Sequence, residues 1–236
     1  MSRLLLISSA ISIAGLSSIY LYAKYLHSTL TSQVTSVHVT AGERAAYATN
    51  EIESIPVELL EKPEHYRVIH VKDTYLVDAR IPLKDDEGHE IFTRLLRRNM
   101  SRFARMPQAW FLRLLATEPE RRRSFSQSHN LALQFKPGDL SCGFNRVVRR
   151  DSTIVEFSME PPEGMGTFSA RMIIRLIRDG DGTLLTTENI QWTEVGDLTV
   201  LPLERKPAKF MHEVASWWLL VTGGQYLAEV VSAHQT

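Results

Sequence analysis

Apolar positions along the chain change period twice, and those changes outline its elements. From Tyr66 to Ile81 the period is two, with Tyr75, Val77, Ala79 and Ile81 alternating against polar neighbours, which predicts a strand. Pro82 and the Lys84-Asp85-Asp86-Glu87-Gly88 cluster break that pattern. A helical period follows. Phe92, Leu95, Leu96, Met100 and Phe103 fall on one face of a first helix, and a second opens at Pro107 with Trp110, Phe111, Leu114 and Leu115 as its apolar side.

Period two returns at Ser124. His129, Leu131, Leu133 and Phe135 share one face, and Pro137-Gly138-Asp139 is a turn. Cys142, Phe144, Arg146 and Val148 share the next face, followed by Val155, Phe157 and Met159. Phe168, Ala170, Met172, Ile174 and Leu176 then alternate up to Asp179-Gly180-Asp181-Gly182, where Asp-Gly supplies the positive φ of a tight hairpin. Leu184, Thr186, Glu188, Ile190 and Trp192 share a face of the returning strand. A last helix starts near Pro207, buries Phe210, Met211, Val214, Trp217, Trp218 and Val221, and is expected to end or kink at Gly223-Gly224.

This order is a strand, two helices, about five antiparallel strands and a long apolar C-terminal helix, so residues 51–236 read as one α+β domain. An apolar sheet face must be covered, and the closing helix is the element large enough to cover it. The order resembles the START-like helix-grip fold, in which a curved sheet wraps the C-terminal helix and leaves a cavity. A nuclear-transport-factor-like cone is the nearest competitor, although it places its helices before all the strands.

The N-terminus has a different character. Leu4 to Ala23 runs for 20 positions without a charge, bracketed by Arg3 and Lys24. At a rise of ~1.5 Å per residue such a helix spans ~30 Å, a bilayer's hydrocarbon thickness. Tyr20, Tyr22 and Tyr25 sit where an interfacial belt holds aromatics. Residues 1–26 therefore read as a transmembrane anchor and 27–50 as a tether. A cleaved signal peptide is the rival; the apolar run is longer than the usual h-region.

Charge is balanced, with 27 basic and 27 acidic residues, which gives no argument for a polyanionic partner. The single cysteine, Cys142, rules out an internal disulfide and reads as core packing. Nine arginines lie within residues 94–123. They form either a solvated helix face or a patch for anionic headgroups, worth roughly 1 kcal/mol per basic residue at a membrane. No nucleic-acid module accompanies them, so no nucleic acid is expected as a partner.

Catalytic spacings for a serine elbow, a phosphate loop, a zinc helix or a dinucleotide turn are absent, and no metal or cofactor is expected. Glu188 stands out as a carboxylate on an apolar strand face, where burial would raise its pKa. Arg146 has a similar setting. Glu188 and Arg146 are the candidate catalytic pair, the first to move a proton and the second to orient it, unless a bulge turns one to solvent or they form a structural ion pair. Trp110, Trp192, Trp217, Phe144 and Phe168 are candidate ligand-binding residues, with plain core packing as the alternative for the tryptophans.

Five strings carry a further resemblance: Leu96-Arg97-Arg98-Asn99-Met100, Pro107-Gln108-Ala109-Trp110, Gly138-Asp139-Leu140-Ser141-Cys142-Gly143, Pro202-Leu203-Glu204, and His212-Glu213 followed by Ser216-Trp217-Trp218-Leu219-Leu220. They are similar to strings in small membrane-associated fungal proteins encoded in secondary-metabolite gene clusters. The resemblance implies a membrane-associated accessory factor in polyketide or polyketide–peptide assembly, assisting a cyclisation beside a membrane-bound oxygenase; the single-pass anchor is expected in the endoplasmic reticulum membrane. It assigns no catalytic residues. The expected function is to hold a hydrophobic intermediate and assist its cyclisation or isomerisation. The alternative is a non-catalytic lipid-binding or scaffold protein.

Overall fold

Seven strands pair antiparallel in one sheet: β1 (Thr35–Thr40), β2 (Tyr66–Val77), β3 (Leu140–Ser141), β4 (Asn145–Arg150), β5 (Ile154–Met159), β6 (Ser169–Asp179) and β7 (Gly182–Glu194). Their spatial order is β1-β2-β7-β6-β5-β4-β3. The computed structural model describes residues 18, 20–40, 52–83, 86–161 and 168–234. Helix α1 (20–31) precedes β1. Between β1 and β3 lie α2 (Val57–Glu61), α3 (Asp86–Phe103), α4 (Pro107–Leu115), α5 (Pro119–Arg123) and α6 (Gln127–Ala132), and α7 (Lys206–His234) closes the chain.

Alternation and register assign the two faces of this sheet. Asp73 pairs with Thr187, Tyr75 with Leu185 and Val71 with Asn189. Across the next seam Ile174 pairs with Thr187 and Met172 with Asn189. These positions form the inner face, against which α7 packs. Side chains one position along form the outer face, including His70, Lys72, Arg175, Glu188, Ile190 and Trp192. The outer face is covered too. Ile52, Ile55 and Leu59, from the segment before β2, bury Val68, Ile154, Ile173, Ile190 and Trp192.

The closing helix runs uninterrupted through Gly223-Gly224, where an end or kink was expected. The reason is close approach. A Cβ on Gly224 would stand 2.3 Å from Tyr75 Cε1, and one on Gly223 would stand 3.0 Å from Asn99 Nδ2. These glycines let α7 lie tight against β2 and α3 instead of stopping the helix.

Three further expectations are corrected. Residues 35–40 are no tether: they add an edge strand that pairs Thr35 with Thr74 through Thr40 with Ile69. Residues 127–132 form a helix, not a strand, because Ser126 caps it by accepting from the backbone N–H of His129 and Asn130 holds the turn through Nδ2 to the Ser124 carbonyl. The apolar side of α4 points largely outward, since Trp110, Phe111 and Leu114 are exposed while Ala109 is buried. The expected membrane anchor, residues 1–26, lies outside the described residues apart from 18 and 20–26. Among the described residues no helix is long and apolar enough to cross a membrane.

Candidate functional site

A cavity of about 550 Å³ opens between the inner sheet face, α3, α4 and the first half of α7. Its existence follows from side-chain size. On α7, Ala208 and Ala215 are too small to fill the space above the sheet and Ser216 spans it only at Asp73, whereas Val221 and Leu227 further along pack the core. Sheet residues Met159, Met172, Ile174 and Leu185 form the floor. Phe103, Phe111, Leu112 and Met211 form walls, and Pro161, Phe168, Pro202 and Pro207 are also in the lining.

Polar groups enter this apolar space in a narrow row. Thr187, Asn189 and Gln191 face it from β7 and Asn145 from β4. Gln191 Oε1 accepts from the Leu203 N–H at 3.2 Å, which fastens the 202–204 turn to the cavity edge. The Oδ1 atoms of Asn145 and Asn189 are buried and have no hydrogen-bond partner among the described residues. On the helix side stand Ser216 and His212, one turn apart on α7. His212 is the sole ionisable side chain among the described lining residues.

Behind Ser216 lies Asp73, a buried carboxylate on the inner face of β2. It accepts from Ser216 Oγ at 2.8 Å, from Trp217 Nε1 at 2.9 Å and from Ser36 Oγ at 2.6 Å. Burial lowers the pKa of His212, while the charges of Asp73 and Glu213 oppose that shift and His38 adds to it. The carboxylate of Glu213, the next residue, accepts from His27 Nε2 at 3.0 Å, and the His27 ring lies 4.7 Å from that of Trp217. In this way α1 is held against α7.

The structure separates the expected site residues. Phe144 and Phe168 line the cavity. Glu188 does not. It is 2% exposed on the outer face, bonded to His70 Nε2 at 3.0 Å and ion-paired with Arg175 at 3.3 Å and Lys72 at 3.7 Å. Burial raises its pKa, but the His70 hydrogen bond and the two cations outweigh burial and hold it below the ordinary carboxylate value, opposite to the expected direction. Leu184, Thr186, Glu188, Ile190 and Trp192 do share a face. That face meets α2 and its leading loop, and the more polar side of β7 meets the cavity.

Arg146 also lies elsewhere. It sits near the sheet edge, donating through Nε to Glu160 Oε1 at 2.6 Å. The turn at 142–144, with Cys142 and Gly143 at positive φ, shifts the alternation, so Asn145 and Val147 face inward and Arg146 outward. Arg146 and Glu188 are therefore not brought together. Trp110 is 61% exposed, Trp192 lies under Arg171 on the outer face, and Trp217 is a buried anchor of Asp73. None of the four tryptophans lines the cavity.

Cys142 is buried, and burial pushes its thiol up to about 12, so it is core packing and no nucleophile. Several of the arginines of 94–123 act inside the fold. Arg97 donates to the Leu133 carbonyl, Arg122 to that of Ala116, and Arg121 to those of Gly143 and Glu160. Residue-type reasoning overlooked His212, a lone histidine with no metal or nucleophile spacing. The available signal was the stripe of small residues, Ala208, Ala215 and Ser216, on the same side of an otherwise bulky helix.

No family model matches the chain, and no curated protein matches it. Among solved structures, the crystal structure of CalU16 from Micromonospora echinospora superposes at a TM-score of 0.33 with 13% identity, over 85% of this chain and 96% of that one. Its solution structure gives 0.30 and 15%, over 71% and 88%. At such scores CalU16 says nothing about the cavity described above.

Proposed function

We propose that the domain is a membrane-tethered accessory protein, helix-grip in architecture, that binds a hydrophobic small molecule in the inner-face cavity and assists its isomerisation or cyclisation in secondary-metabolite biosynthesis. The observation that carries this reading is the cavity: about 550 Å³, walled by Met, Phe, Leu and Pro side chains, with a row of neutral amides and one ionisable group among the described lining residues. Space of that size and chemistry suits an apolar guest oriented by a few polar contacts. Water exclusion and positioning can then serve a cofactor-free rearrangement. The uncharged run of residues 4–23 supports the tether and a partner enzyme, such as an oxygenase, at the same membrane.

The reading is tested by binding. Full-length protein in nanodiscs is titrated with Nile red, with the signal of empty nanodiscs subtracted, and compared with Ala215→Phe, which fills the cavity from α7. Affinity is expected to fall about ten-fold, equivalent to ~1.4 kcal/mol. Equal binding by both proteins overturns the guest. Deleting the gene is expected to make an intermediate accumulate, and unchanged products overturn the biosynthetic part.

One observation favours the scaffold reading: the exposed pair Trp110 and Leu114 on α4, outside the cavity lining, is an apolar surface of the kind partners cover. Loss of partner recruitment in Trp110→Ser with Leu114→Ser, at unchanged Nile red binding, would favour it.

A further inference from the structure

We propose that His212 is the proton-accepting group of the cavity, acting on a neutral, largely apolar guest that carries a carbonyl beside a removable C–H. This rests on the binding reading above and names its chemistry.

Position comes first. His212 lines the cavity from α7, one turn from Ser216, and every other polar side chain of the described lining is a neutral amide or hydroxyl. Neither ring nitrogen hydrogen-bonds to a described residue, so the imidazole is not committed to the fold. That distinguishes it from His70, which is tied to Glu188, and His129, whose Nε2 meets the Leu140 carbonyl at 2.7 Å. A guest in the cavity therefore meets an imidazole with its lone pair available.

The surroundings suit a base. Burial favours the neutral ring, which is the form that accepts a proton. Once protonated, the ring is an imidazolium near two carboxylates. Asp73 faces it from β2 and Glu213 from α7 itself, while His38 of β1 opposes them. From α3, α4, β4 and β7 it meets only neutral groups of the lining. Asp73 is fixed by three donors, so its charge does not wander.

Across the cavity, the side-chain amides of Asn145 and Asn189 complete the arrangement. Their Oδ1 atoms are buried acceptors without partners among the described residues, and Asn189 Nδ2 donates only to Met159 Sδ at 3.5 Å, a weak bond that a developing enolate oxygen would displace. The step balances without a co-reactant. A ring nitrogen of His212 takes the proton from the carbon next to the carbonyl. The C–H electron pair becomes a C=C bond, and the carbonyl π pair moves onto oxygen. The imidazolium then returns the proton to a different carbon of the same conjugated system, giving an isomer. Nothing is oxidised or reduced.

Nitrobenzisoxazole is a suitable probe, because a buried base opens it in one step. The base takes the ring C–H proton, the C–H electrons form a nitrile, and the N–O bond breaks to release a coloured phenolate. With full-length protein in nanodiscs, saturable turnover is expected, rising with pH around a midpoint below the ordinary histidine value. His212→Gln is expected to lose ~100-fold in kcat, the usual worth of a positioned base, while Nile red affinity and the near-ultraviolet circular dichroism stay unchanged. His212→Asn is the second variant, in case the first does not fold. Asp73→Asn is expected to move the pH midpoint downward, which a merely structural carboxylate would not do. Turnover that survives in folded His212→Gln, or that never depends on His212, overturns the assignment. If wild-type protein fails to bind Nile red, the binding reading fails instead.

Discussion

The indole Nε1 of Trp217 donates to Asp73 Oδ1 at 2.9 Å across the α7–β2 seam, both groups being buried. This bond joins the closing helix to the sheet at the edge of the cavity. A hydrogen bond to a charged group contributes roughly 1.5–3 kcal/mol. Trp217→Phe keeps most of the apolar contact and is expected to lower unfolding free energy by about that amount, read from urea midpoints. Ser36 and Ser216 still satisfy the carboxylate, so Nile red binding should survive. A change below about 0.5 kcal/mol would show that the bond contributes no net stability.

Glu188 belongs to a buried ion cluster outside the cavity. Removing one member leaves His70, Lys72 and Arg175 facing an uncompensated site, and breaking such a pair costs about 3–5 kcal/mol. Glu188→Gln should therefore destabilise the fold at neutral pH and leave turnover of the probe intact. The pH dependence follows from the sign of the shift. The folded pKa is depressed, so the stabilisation is present above the unfolded value and disappears as pH falls through the folded one. The gap between wild type and variant should close below the ordinary carboxylate range. A constant gap down to strong acid would contradict this.

His212 gives the opposite lever. Its folded pKa is lowered, so between the folded value and the ordinary unfolded one, about 6.5, the unfolded chain binds more protons. Stability should fall as pH drops through that window and level off below it. His212→Gln should remove this acid-side slope. Chemical denaturation at a series of pH values measures it, and identical slopes would mean that the ring titrates normally.

Gly224 faces Tyr75, whose Cε1 and Cδ1 would stand 2.3 and 2.4 Å from an added Cβ. Alanine gains ~1 kcal/mol of helix propensity over glycine. Overpacking costs about 1–3 kcal/mol, and the clash is with a ring rather than a flexible tip. Packing is expected to win, so Gly224→Ala should be less stable, with Tyr75→Leu restoring it in the double variant. A more stable single variant would show that the ring moves aside easily.

Local chemistry made much of the architecture legible. The alternation at Ala170, Met172, Ile174 and Leu176, the Asp179–Gly182 turn and the aliphatic run after Pro207 each specify an element through nearest-neighbour geometry. Elements stabilised by distant partners were harder to read. β1 is a short edge strand held by β2, and α6 depends on a Ser126 cap inside a stretch that alternates well enough to imitate a strand.

From residue order alone follow an uncharged N-terminal run, an α+β domain of antiparallel strands, and a closing apolar helix that covers their inner face. Which side of β7 meets the cavity was a tertiary decision. Alternation separates two faces but does not orient them, and here Ile52, Ile55 and Leu59 cover the more apolar one. Hence Glu188 and Trp192 face away from the space that Thr187, Asn189 and Gln191 enter. The same holds for His212: only the packing of α7 across the sheet gives a lone histidine an apolar cavity on one side and a buried carboxylate nearby.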